Sequence, residues 1–89
     1  LFENPIAYQV YPNPTEKVLR IKKRSSDLPS IKEVILMDIQ GRMIANYQPG
    51  NNTSEEIEIR LPDYLPPAYY LLRIEAENRY EFVKFFKTN

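Results

Sequence analysis

Ser25, Ser26, Ser30 and Ser54, with scattered carboxylates that include Asp38 and Asp63, are the side chains of this sequence best equipped for nucleophilic or acid–base chemistry. A serine hydroxyl needs an adjacent base to become a useful nucleophile. The 89 residues contain no histidine, and no lysine stands at a spacing that defines a dyad with any of the serines. Asp38 and Asp63 could act as a carboxylate pair, but nothing in the surrounding sequence marks a cleft around them. Glu55, Glu56, Glu58 and Asp63 lack the dense acidic loop with an internal glycine that a calcium site of the EF-hand kind needs. The absence of cysteine excludes thiol chemistry and disulfides. No catalytic residue, no metal site and no cofactor is therefore expected. Tyr47, Tyr64 and Tyr69 have rings that could stack on sugars, so a carbohydrate-binding or adhesion module of a secreted protein stands as an alternative function. The sequence offers no tryptophan and no aromatic row at fixed spacing to strengthen it.

The chain that must position these residues is short. At 89 residues it is one domain with one core and little material for a large pocket. A hydrophobic fraction of 43%, with seven tyrosines and four phenylalanines, is that of a folding sequence and not of a disordered tail. Twelve basic and twelve acidic residues cancel. Neither nucleic acid nor an anionic membrane surface is thus an expected partner. No apolar run approaches the roughly 18 residues of a membrane span, so no direct membrane insertion is expected. The first residues, Leu1 and Phe2, do not read as a secretory leader, and the sequence reads as a piece of a longer protein.

Two-residue periodicity dominates. Glu56-Ile57-Glu58-Ile59-Arg60-Leu61 alternates without interruption, placing Ile57, Ile59 and Leu61 on one face. Leu19 and Ile21 alternate with Arg20 and lead into Lys22-Lys23-Arg24, a solvated strand end. Tyr69 to Ala76 begins apolar on both faces and becomes amphipathic, with Tyr70, Leu72, Ile74 and Ala76 as the inward set. After a polar turn at Glu77-Asn78-Arg79, Tyr80 to Lys87 forms a partner strand whose inward face is either Val83/Phe85 or Phe82/Phe86. Ser30-Ile31-Lys32-Glu33 has the form of a helix capping box, with Ile31, Val34, Ile35 and Ile39 able to share one helical face. β-Branched residues and the following Gly41 favour a strand there instead.

Asp38-Ile39-Gln40-Gly41-Arg42 then links this strand to a second, Met43 to Tyr47, as an antiparallel hairpin. Asp38 would accept from amides two residues on, and Gly41 would take a positive φ. Pro49 to Ser54 is a loop containing two overlapping N-x-[ST] triplets, at Asn51 and Asn52. With Ile6 to Tyr11 at the start, seven strands are expected, separated by the breaks of an all-β sandwich. Between the first two strands stands Tyr11-Pro12-Asn13-Pro14. Its prolines remove two backbone donors, so ladder pairing must end and the chain is expected to cross to the other sheet.

Tyr11-Pro12-Asn13-Pro14 with the Leu19-x-Ile21 strand, Leu36 to Arg42, Leu65 to Ile74, and Lys84-Phe85-Phe86-Lys87 follow one another in an order that resembles the type A C-terminal sorting domain of the type IX secretion system. The resemblance spans almost the whole chain from about Val10. It implies an immunoglobulin-like β-sandwich of about seven antiparallel strands on proteins of Bacteroidetes-type bacteria. Residues 1–9 would be linker and the start of the first strand, and residues 10–89 the sorting domain. It further implies a non-catalytic sorting signal that follows a cargo domain through the periplasm. The partners implied are the outer-membrane translocon, which exports the parent to the cell surface, and a sortase, which cleaves the signal off. Where the family usually has glycine before its x-Tyr pair, this chain has Ala68 after Pro66-Pro67.

The residues singled out carry two readings each. Tyr11, Pro12, Asn13 and Pro14 terminate a strand or form a recognition element. Asp38 and Gly41 build a turn, and Arg42 either pairs with a nearby carboxylate or faces the translocon together with Gly41. Lys84, Phe85, Phe86 and Lys87 form a strand-edge docking site by strand addition, or else protect that edge from unwanted pairing. Tyr70 belongs to the structural motif of its strand.

Overall fold

The computed structural model describes residues 7–49 and 56–89. Ile6, the sequons at Asn51 and Asn52, and most of the Pro49 to Ser54 loop lie outside them. The described residues form seven strands: β1 (Tyr8–Tyr11), β2 (Val18–Lys23), β3 (Ile31–Asp38), β4 (Met43–Tyr47), β5 (Glu56–Arg60), β6 (Ala68–Ala76) and β7 (Arg79–Lys87). They make two sheets, a three-stranded β1-β2-β5 and a four-stranded β4-β3-β6-β7, with every pairing antiparallel. Because β4 stays with β3, the connection between β4 and β5 changes sheets, which is the crossing of an immunoglobulin-like sandwich.

Inward residues of both sheets fill the space between them. Tyr8, Leu19, Ile21, Val34, Leu36, Ile59, Leu72, Ile74 and Phe85 are fully buried. Ile57, Ile59 and Leu61 form the inward face of β5 and its exit. Tyr70, Leu72, Ile74 and Ala76 do the same for β6. On β7 the inward set is Val83 and Phe85, while Phe82 and Phe86 lie half-buried on the outer face. Arg20 of β2 lies directly opposite Glu58 of β5 and pairs with it at 3.3 Å on the solvent face, an exposed contact worth about 0–1 kcal/mol.

Residues 31–38 are a strand, and the structure explains their helix-like spacing. The β3–β6 register shifts between Ile31 and Glu33, so an extra residue in β3 sets the buried Ile31 and Val34 three positions apart. The β6–β7 hairpin closes on Glu77-Asn78, with Ala76 paired to Arg79 and Asn78 at φ +62°. Asparagine is among the few residues with a side chain that tolerate this region.

The expected crossing after Tyr11 is corrected. β2 pairs with β1 in the same sheet, Val10 opposite Ile21. The proline segment does reach the other sheet, where Thr15 forms an isolated parallel bridge with Lys87 of β7, but the chain then returns. The missing proline donors end the β1 ladder, and the polar groups of Asn13 and Thr15 find partners on β7 instead.

The opposite exposures of neighbouring β7 side chains give a direct test. Phe85→Ala empties a fully buried site and should destabilise the domain by about 3–5 kcal/mol, a large part of the stability of a small domain. Lys84→Ala on the outer face, which loses only an exposed contact with the Tyr69 ring, should change it by no more than about 1 kcal/mol. Urea denaturation followed by circular dichroism checks both values.

Candidate functional site: an apolar groove beside the β3–β4 turn

The turn after β3 is built around one carboxylate. Asp38 Oδ1 accepts from the Gln40 amide at 2.9 Å and the Arg42 amide at 3.0 Å, and Oδ2 meets Arg42 Nε at 3.2 Å. Two backbone bonds complete the loop, Gly41 N–H to Asp38 C=O at 2.9 Å and Asp38 N–H to Arg42 C=O at 3.0 Å. Gly41 sits at φ +91°, and a β-carbon there would meet no atom within 4 Å. Glycine is needed for backbone conformation and not for space. The Arg42 amide is the main cause that holds the Asp38 carboxyl below the usual carboxylate range. The Gln40 amide and the Arg42 guanidinium act in the same direction, against partial desolvation.

A second corner faces this turn. The chain leaving β5 buries Leu61 and Leu65, bends through a Leu65 N–H to Pro62 C=O bond of 3.3 Å, and leaves Tyr64 projecting at 74% exposure. Pro66-Pro67 then directs it into β6. The Tyr70 hydroxyl donates back to the Pro66 carbonyl at 2.6 Å, the geometry of a tyrosine corner. Burial pushes the Tyr70 phenol up, and the Asp38 charge adds to the effect. Ala68, the first residue of β6, opposes Lys87 and does not have a positive φ, so the position usually held by glycine places no demand on the backbone here.

Between the two corners lies an open groove of about 650 Å³. Its walls are Ile39, Ile44, Tyr64, Pro66, Tyr69 and Phe86, with Asp38, Gln40 and Arg42 along one rim. Ile39 is 63% exposed although apolar. Ile44 reaches the groove because β4 carries a bulge there, Ala45 opposing Leu36 and Met43 opposing Met37. Tyr69 and Phe86 meet edge to face at 4.9 Å, and Lys84 Nζ stands 4.8 Å above the Tyr69 ring.

The proline motif lies along the end of β7. The Tyr11–Pro12 and Asn13–Pro14 peptide bonds are both cis. Asn13 Oδ1 accepts from the Phe86 amide at 2.9 Å, the Thr15 amide donates to the Phe86 carbonyl at 3.0 Å, and the Thr88 amide donates to the Thr15 carbonyl at 2.7 Å. The Thr15 hydroxyl bonds the Val18 carbonyl, and the residue is 3% exposed.

Several residues of different sequence motifs therefore converge. Asp38, Arg42, Tyr69, Tyr70 and Phe86 surround the groove, and Gly41 shapes its turn. Arg42 pairs with Asp38 while its side chain remains 83% exposed. Lys84 is on the surface. Phe85 and Lys87 are not: Phe85 is fully buried, and Lys87 is buried with its ammonium donating to the Thr88 carbonyl at 3.0 Å. A partner meeting this strand would touch Lys84 and Phe86. Sequence reasoning missed Ile39 and Ile44 as surface features, and Thr15 altogether. An isoleucine inside an otherwise polar turn was the available signal for Ile39. Of the three tyrosines considered for sugar stacking, Tyr64 and Tyr69 line the groove, while Tyr47 lies elsewhere with its hydroxyl on the Arg60 carbonyl at 2.8 Å.

Among the described residues no group of three or more histidine, cysteine, aspartate or glutamate side chains could hold a metal ion, and no helix is long and apolar enough to cross a membrane. The fold and the groove define a small immunoglobulin-like module whose distinguishing features are surface contacts. The model of the secretion system C-terminal sorting domain family matches residues 9–88, and the chain belongs to that family, which serves type IX secretion. No individual curated protein matches it. Membership makes this domain a C-terminal sorting signal for an exported parent protein.

The Asp38 turn predicts a pH dependence. A carboxyl whose folded pKa is lowered stabilises the fold above its unfolded pKa and loses that contribution as pH falls through the folded value. The Gln40 and Arg42 amide resonances should therefore titrate together, with a midpoint below the ordinary aspartate value of about 3.9. Asp38→Ala should abolish this step in an NMR pH titration.

Proposed function

We propose that the domain is a non-catalytic, folded address label that the type IX outer-membrane translocon reads on its surface, with the groove beside the β3–β4 turn as the reading face. A sortase then removes the label in the segment ahead of the folded core, releasing the cargo at the cell surface. The observation that carries this reading is the convergence of residues from separate family motifs on one exposed apolar groove, although they are far apart in the chain. Apolar surface left in water is disfavoured unless something covers it, and an aromatic groove with a hydrogen-bonding rim suits a protein partner. Lys84 and Arg42 beside it would favour an acidic segment of that partner.

Exposed Tyr64 and Tyr69 in the same groove favour one other reading, a sugar-binding module. A single experiment separates the two. Residues 1–89 are fused to the C-terminus of a periplasmic reporter in a host that carries the pathway, with and without the pair Ile39→Glu and Tyr69→Glu. The unaltered fusion should reach the cell surface. The charged pair should hold the reporter in the periplasm while urea denaturation of the purified domain shows it folded. A removal of Phe85 to Asn89 is a poorer test, because it takes away core as well as surface. Surface delivery by the charged pair would reject the groove as the reading face. Failure of the unaltered fusion, with retention of the domain on a glycan column, would favour the sugar-binding reading.

A further inference from the structure

β7 is the edge strand of the larger sheet, and an edge with open amides and carbonyls is a template for another strand. Edge protection by lysine is one of the two readings of this strand, yet Lys87 is buried against its own chain and cannot repel a partner there. The end of β7 is covered in another way. Asn13 takes the Phe86 amide, and Thr15 takes the Phe86 carbonyl and the Thr88 amide. Those are the groups that an added strand would use. Pro12 and Pro14 bracket Asn13 and bring no amide N–H of their own, so the segment occupies the edge without offering a further donor ladder to solvent.

We propose that the Asn13–Thr15 clasp guards a strand-pairing site at the end of β7, and that the partner it holds off is a second copy of this chain, docking antiparallel about Phe86. The register supports self-pairing. A two-fold axis through Phe86 places Lys84 opposite Thr88 and Phe85 opposite Lys87, so no like charges face each other. The net charge of the chain is zero, which leaves no long-range repulsion between copies. Strand β7, Arg79–Lys87, is rich in aromatic residues, which suits it to a further pairing.

The test uses the 89-residue chain with Asn13→Ala and Thr15→Pro together, which removes the side-chain acceptor and one backbone donor of the clasp. Amide exchange read by NMR and sedimentation velocity over a concentration series report the outcome. At low concentration the Phe86 and Thr88 amides should exchange roughly tenfold faster than in the unaltered chain, the change expected for loss of one hydrogen bond. At high concentration a dimer should form and protect them again. Adding Phe86→Pro in the opened background should restore the monomer, because a proline is tolerated where the strand amide faces outward but cannot serve a new neighbour. A folded, opened variant that stays monomeric at every concentration overturns the proposal, as does a dimer that survives Phe86→Pro. If the double variant does not fold, Asn13→Ala alone is read in the same way. Self-association with the Phe86 amide protected supports the guard, and a persistent monomer rejects it.

Discussion

The fold depends on closing its first strand onto its last. Ala7 N–H donates to Glu81 Oε2 at 2.9 Å, and Asn13 Oδ1 receives the Phe86 amide at 2.9 Å. These contacts join residues 74 and 73 positions apart, one on either side of β1. β1 belongs by its ladder to the smaller sheet, and its flanks belong by these bonds to the edge of the larger one. The two layers are thus held together along one side by polar contacts as well as by the buried side chains between them. Glu81 also meets Arg79 at 3.4 Å, so an ion pair sits at this join.

The same closure decides which face of β7 meets solvent. With Val83, Phe85 and Lys87 turned inward, the outer face presents Tyr80, Phe82, Lys84 and Phe86. Arg73 of β6 lies over the Tyr80 ring at 4.7 Å and pairs with Glu75 at 2.9 Å. The stripe continues through the Tyr69–Phe86 pair to the groove and its Asp38-centred rim. Recognition by such a surface needs shape and hydrogen bonds, not a reactive side chain.

Much of the architecture was legible because strand burial repeats every second residue. Ile57/Ile59/Leu61 and Tyr70/Leu72/Ile74/Ala76 are inward as their alternation requires, and the Asp38–Gly41 turn follows from the chemistry of its two residues. Three features broke the pattern for identifiable reasons. The extra residue near Lys32 made β3 resemble a helix, because a bulge resets the two-residue count. The proline segment stopped a ladder, but nothing in its own sequence says which strand would receive Asn13 and Thr15. Lys87 reads as a surface residue by its charge and is buried by its parity with Val83 and Phe85. The groove is harder still, since Ile39, Tyr64, Tyr69 and Phe86 meet only once both sheets are stacked.

The join between β1 and β7 also orders events during synthesis. Six of the seven strands can leave the ribosome and the layers still lack Phe85 from their centre and the receiving groups for Asn13 and Thr15. A parent chain cut short before β7 would carry no finished sandwich, however well its cargo had folded. The finished sandwich therefore forms only after β7 has been made.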